Sequence, residues 1–154
     1  MTLELDGTDL DLLAVLQADA RASNKELAAA VHLAPSTTHA RVRRLFATGA
    51  IRGAHAEVAP EVLGIGLSAL VFVRLDAHAR EPIRGFWDRA VALPEVTAAW
   101  YVGGDDDIVL HVAVRDTAHL RDLVLDQVPE LGNVARVRTE LVFDHVRKVP
   151  PMYR

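Results

Sequence analysis

Two hydrophobic periods run along this chain, and the change from one to the other near residue 66 divides it. In residues 9–20, Leu10, Leu12, Leu13, Val15 and Leu16 recur at helical spacing, with Thr8 as the expected N-cap. Ser23 followed by Glu26 has the spacing of a capping box, and Leu27, Ala28 and Val31 form the apolar stripe of the helix it opens. A short turn at His32 and Leu33 leads to Pro35, a residue suited to the first helical turn. The third helix runs to about Thr48, buries Val42, Leu45 and Thr38, and stops at Gly49. Three helices with a tight turn between the last two predict a helix-turn-helix. Ile51 to Val58 reads as a short strand or wing, and Pro60 with the Leu63–Gly66 stretch as a hinge.

From Leu67 onward strand-like runs alternate with helical ones. LSALVFVRL is a strand, Glu81 to Leu93 a helix with Ile83, Phe86, Trp87 and Ala90 inward, and Val96 to Val102 a second strand. GGDDD forms a turn into a third strand, Ile108 to Val114; Thr117 to Val128 is a helix, and Val134 to Phe143 the last strand. The order β-α-β-β-α-β predicts a ferredoxin-like sheet with two helices on one face. Its other face is apolar enough that a second subunit is the expected cover. The fold class is therefore α+β, with a winged helix-turn-helix over 1–60, a hinge at 61–66 and a ferredoxin-like domain over 67–154.

Charge changes this picture by its location. The net charge is −4, yet residues 34–52 contain no acid and carry Arg41, Arg43, Arg44 and Arg52. A local basic face is what duplex phosphates require, and an acidic remainder can coexist with it. Ser36, Thr37 and His39 lie in the first turns of the third helix, where groove edges come within reach. Arg41, Arg43 and Arg44 are divided between bases and phosphates, and Asn24, Lys25 and Arg52 are expected to touch the backbone. The bland alternative is a solvated arginine face. Other chemistry finds little support. The chain has no cysteine, hence no disulfide framework or thiol nucleophile. Its seven histidines are scattered, the GIG of 64–66 is too short for a dinucleotide fingerprint, and the sequence around Ser68 lacks the second glycine of a nucleophile elbow. No membrane span or basic leader is apparent, so a cytoplasmic protein with no metal or bound cofactor is expected.

The succession LDLLAVLQADAR, SNKELA, LAPSTTHARVRRL, GAIRG, LPEV, GGDDD and VRTELV resembles the Lrp/AsnC family of feast/famine regulators, from Leu10 to about Lys148. The resemblance implies a transcription regulator binding double-stranded DNA, with dimers built through the sheet and often assembled into tetramers or octamers. It also implies an effector, an amino acid or related metabolite, bound between subunits near the loop joining the second and third strands. Gly103 and Gly104 there allow close backbone approach, and Asp105 or Asp107 can accept from an ammonium. Val102, Thr139 and Leu141 are expected to line the pocket. Two positions depart from the family. Ala34 stands where a Ser N-cap is usual, and Gly104, Asp105, Asp106, Asp107, Ile108 replace a loop whose third and fifth residues are usually aromatic. Two rival readings follow. One is an enzyme similar to the siroheme decarboxylases, holding a tetrapyrrole with His111, His145, Arg136 and Arg138. The other is a DNA-architectural protein without an effector.

Overall fold

Asp6 starts the first helix. Its Oδ1 accepts from the Asp9 N–H at 2.8 Å while Asp9 Oδ2 accepts from the Asp6 N–H at 3.2 Å, a reciprocal box that places the cap two residues before Thr8. In the computed structural model, which describes residues 4–76, 80–146 and 148, this helix is α1 (Gly7–Ala18). Helix α2 (Asn24–Ala30) carries the Ser23–Glu26 capping box expected of it. Helix α3 (Pro35–Ala47) begins with proline but has no side-chain cap at Ala34. Leu12, Leu27 and Leu45 meet at the centre of the three helices, with Leu16, Val31, Val42 and Ile51 packed around them.

No strand forms over 51–58 among the described residues, so the wing expected there is corrected to an irregular segment. A lone run of strand-like residues has no ladder partner in this unit, and an unpaired strand is not stable by itself. The compact units divide at Glu57 and Val58, and the second extends to Val146. Residues 60–66 are built onto that second unit. Pro60–Leu63 makes a 3-10 turn, the Ile65 N–H donates to Pro60 O at 3.0 Å, and the Gly66 N–H donates to Val114 O at 3.1 Å.

The second unit contains β1 (Leu67–Leu75), α4 (Arg80–Ala90), β2 (Val96–Tyr101), β3 (Ile108–Val114), α5 (Thr117–Asp122) and β4 (Val134–Val142). Helix α5 continues through a π-helical turn, Leu123–Gln127, into a final α turn, Val128–Glu130. The strands lie in the order β2-β3-β1-β4 with every neighbouring pair antiparallel, the ferredoxin-like arrangement. Directly paired residues share a face. Ala69, Val71 and Val73 therefore point the same way as their partners Val112, Leu110 and Ile108, and these pack with Phe86, Ala90, Leu120, Leu123 and Val128 of the helices. Leu70, Phe72, Val109, His111 and Trp100 point to the opposite face. They are half-buried or, for Trp100, exposed.

Candidate functional site

Helix α3 presents two different faces. Residues four and seven apart fall on the same side of a helix, so Thr38, Val42 and Leu45 lie inward and Ser36, Ala40, Arg43 and Ala47 outward. The structure agrees: Thr38 and Leu45 are buried, while Ser36, Thr37, His39 and Arg43 are exposed. Arg43 stands centrally on the outward face and makes no ion pair among the described residues. Lys25 and Arg52 are also exposed.

Arg41 and Arg44 are placed otherwise. Arg41 Nη1 donates to Asp6 Oδ2 at 2.7 Å and to Asp9 Oδ1 at 2.9 Å, and Arg44 Nη2 pairs with Asp9 Oδ2. The Asp9 side chain is fully buried. An anion removed from water needs partners of this kind, and here it draws both guanidinium groups toward the start of α1. The Asp9 N–H and the Arg41 guanidinium hold the Asp6 carboxyl below its usual range, and hydrogen bonds to the Asp6 and Asp9 carboxylates raise Arg41. Arg41 was expected on DNA; its first role is to fix α3 against α1. Asn24 is likewise committed, since its Nδ2 donates to Pro35 O at 2.9 Å and joins the starts of α2 and α3. Nothing in the hydrophobic pattern marks Asp6 and Asp9 as partners of these arginines; two acids at the start of α1 were the only available signal.

The turn between β2 and β3 is held from several directions. Asp107 is buried, its Oδ2 accepting from the Leu75 N–H at 2.8 Å and its own N–H donating to Val73 O at 2.9 Å. Its expected part as an acceptor for a ligand is corrected accordingly, because that carboxylate finishes the end of β1. Asp105 is exposed, and its carbonyl accepts from Arg74 Nη1 at 2.9 Å. Asp106 has 11% of its side chain exposed and pairs with Arg136 at 3.3 Å and Arg138 at 3.2 Å. Burial pushes the Asp106 carboxyl up, but hydrogen bonds from Arg138 and Arg136 outweigh it and the group lies below its ordinary value. Arg138 also lies 4.0 Å over the Phe72 ring and pairs with Glu140.

Gly103 and Gly104 are exposed at the turn, and Gly104 has φ 138°, a conformation that favours glycine. Val102 closes the turn through its N–H to Asp107 O at 2.9 Å. Within one chain, Thr139 and Leu141 do not join this group. They lie opposite Val71 and Ala69, farther from the loop along the sheet, and on the helix-covered side. The loop-holding residues that sequence reasoning missed are Arg74, Arg136 and Arg138. Their signal was an acid at 106 in an aromatic position, opposite a strand with arginines at alternate places.

No group of three side chains able to hold a metal ion occurs among the described residues. The model for the AsnC-type helix-turn-helix domain matches residues 5–45, and that for the Lrp/AsnC ligand binding domain matches residues 68–152. The chain belongs to the Lrp/AsnC family. It is 41% identical to the HTH-type transcriptional regulator AldR of Mycolicibacterium smegmatis, over 97% of this chain and 87% of that protein. The leucine-responsive regulatory protein of Rhizobium meliloti is 34% identical, with 94% and 93% covered. Among solved structures, a Neisseria meningitidis transcriptional regulator in complex with L-methionine superposes with a TM-score of 0.84 at 28% identity, covering 94% of each chain. An Lrp/AsnC protein is a DNA-binding transcriptional regulator and not an enzyme, which sets aside the tetrapyrrole alternative. His111 and His145, its proposed ligands, lie with ring centroids 5.9 Å apart, and His111 Nδ1 is 2.6 Å from Thr97 Oγ1. Among the described residues, no helix is long and apolar enough to cross a membrane.

Proposed function

We propose that this regulator reads duplex DNA through the outward face of α3 and that an amino acid bound near the β2–β3 turn alters its affinity or assembly. The observation that carries the reading is the exposed, acid-free strip of Ser36, Thr37, His39 and Arg43. Arg43 is the side chain assigned to a base edge or inner phosphate; Lys25 and Arg52 are assigned to flanking phosphates. Arg44, half-exposed at the side of the helix, can add a phosphate contact without leaving Asp9. The half-buried apolar side of the sheet supports a homodimer closed through that face.

Fluorescence anisotropy on operator fragments tests the DNA assignment. Arg43→Ala is expected to weaken binding about tenfold with an unchanged melting temperature, and an affinity equal to wild type would overturn it. Binding should also fall steeply as salt rises. The effector is tested by thermal shift with the twenty amino acids. The bonds from Arg74, Arg136 and Arg138 hold the turn without a ligand, and they favour a second reading, a DNA-architectural protein without an effector. Stabilisation by none of the twenty would select it.

A further inference from the structure

His111 stands on the open face of the sheet in the central strand β3, between Leu70 of β1 and Ala98 of β2, and is half-buried there. Its ring is fixed at one nitrogen. Nδ1 lies 2.6 Å from Thr97 Oγ1, and the same hydroxyl donates to His111 O at 3.1 Å. A hydroxyl has one hydrogen, so with that hydrogen on the carbonyl its oxygen accepts from Nδ1–H. The neutral ring is therefore the Nδ1–H tautomer, and a second proton goes to Nε2. The His145 ring lies 5.9 Å away between centroids, tilted by 52°. His145 follows β4, whose last residue, Val142, is paired with Ser68 of β1. To meet His111 the chain turns back from the edge strand and crosses β1 on the open face. Phe143 and Val146 of that crossing are 94% and 80% exposed, two apolar side chains on the side that a second subunit would cover.

The surroundings of the two rings decide what a proton does there. On this face β1 presents Ser68 and Leu70 beside them and β2 presents Thr97 and Ala98, all uncharged. The charges of β4 stand on the far side of β1. Its one carboxylate on this face, Glu140, is matched by Arg138, and Arg136 and Arg138 share Asp106. The crossing segment adds Asp144, and Lys148 lies just beyond it; both are exposed. Neutral, the two imidazoles pack as flat, largely apolar bodies. Protonated, they are like charges at 5.9 Å, and a second subunit laid over them removes the water that would screen and solvate them. The joined form then holds fewer protons than two separate chains, so acid draws the equilibrium toward the separate chains.

We infer that His111 and His145 form an acid-sensitive latch on the sheet face, closed when both rings are neutral and opened by protonation, which weakens the homodimer. The inference rests on the homodimer proposed above, since the latch acts only where a second chain covers this face. It is separate from the β2–β3 turn: His111 is three residues into β3 from that turn, and no residue of the turn touches the pair among the contacts described. The regulator would then respond to acid in the range where imidazole takes up a proton, whatever effector it binds.

Analytical ultracentrifugation of the full-length protein, without DNA and at constant ionic strength, measures the dimer dissociation constant as pH is lowered. Wild type is expected to associate about tenfold more weakly at pH 5.5 than at pH 7.5, and the His111→Gln, His145→Gln double variant to change by less than about twofold. A dimer that Leu70→Asp breaks but whose dissociation constant is the same at both pH values would overturn the latch and leave the homodimer standing. A pH response that survives in the double variant would do the same. A wild-type monomer at every pH, or a dimer that Leu70→Asp leaves intact, would remove the homodimer and the latch with it. If the double variant fails to fold or to associate, dilution calorimetry of wild type at pH 6 in two buffers of different ionisation enthalpy decides. Protons should be taken up as dimers part, and uptake of none would overturn the latch.

Discussion

Asp9 shows how one buried side chain can redirect a reading built on surface charge. From the sequence, Arg41, Arg43 and Arg44 were three basic residues on one helix, and charge and spacing alone assigned all of them to DNA. The structure separates them by partner, because the buried carboxylate of Asp9 takes Arg41 and Arg44 and leaves Arg43 outward. Replacing Asp9 by Asn removes half of each interaction and weakens the reciprocal cap of α1. A loss of about 1–3 kcal/mol is expected by chemical denaturation, below the cost of orphaning a fully buried pair because the freed arginines reach water. Asp106 allows a test by pH. Its folded-state pKa is depressed, so its contribution is present above the ordinary carboxyl value of 3.8 and is lost as pH falls through the lower folded value. Wild type should therefore melt above Asp106→Asn at pH 6, and the gap should narrow as melts are repeated at pH values below 3.8. Such pairings were not legible in the sequence because they join residues about thirty positions apart through space.

At the scale of elements, local signals that involve neighbouring residues were readable. The Ser23–Glu26 box, Pro35 at the start of α3 and the strand Ile108–Val114 are found where their patterns placed them. The wing failed because a strand is a property of two segments, and 51–58 had no partner. Helix α3 carries a measurable defect of the same local kind. Ala34 has the extended conformation of an N-cap, φ −62° and ψ 142°, but no side-chain acceptor for the first N–H groups. Ala34→Ser is expected to stabilise the protein by about 1 kcal/mol and raise its melting temperature by a few degrees in calorimetry. An unchanged melt would mean that solvent already serves those donors equally well.

For the whole molecule, the order of helices and strands was enough to give the ferredoxin-like sheet, since alternation of apolar residues on β1 and β3 fixes which side the helices cover. What covers the other side was legible only as a need. Leu70 lies near its middle, paired with His111 on one flank and Glu140 on the other. Under the proposed homodimer, Leu70→Asp places a charge in the joint, and sedimentation velocity should show a monomer in place of the wild-type assembly. A variant that sediments like wild type would remove this face from the assembly. The effector pocket was legible only as a turn, because residues expected to complete it stand apart within one chain.

The π-helical turn after α5 has a consequence for chain length. Such a turn holds one residue more than an α turn, and the inward residues Leu120, Leu123, Val128 and Leu131 are accordingly spaced by three, five and three. Deleting Leu125, an outward residue of that turn, would leave gaps of three, four and three, the rhythm of an ordinary amphipathic helix. This stretch can therefore shorten by one residue in a descendant of the gene while its core contacts survive, whereas a deletion within β1 or β3 would turn alternate side chains to the wrong side of the sheet.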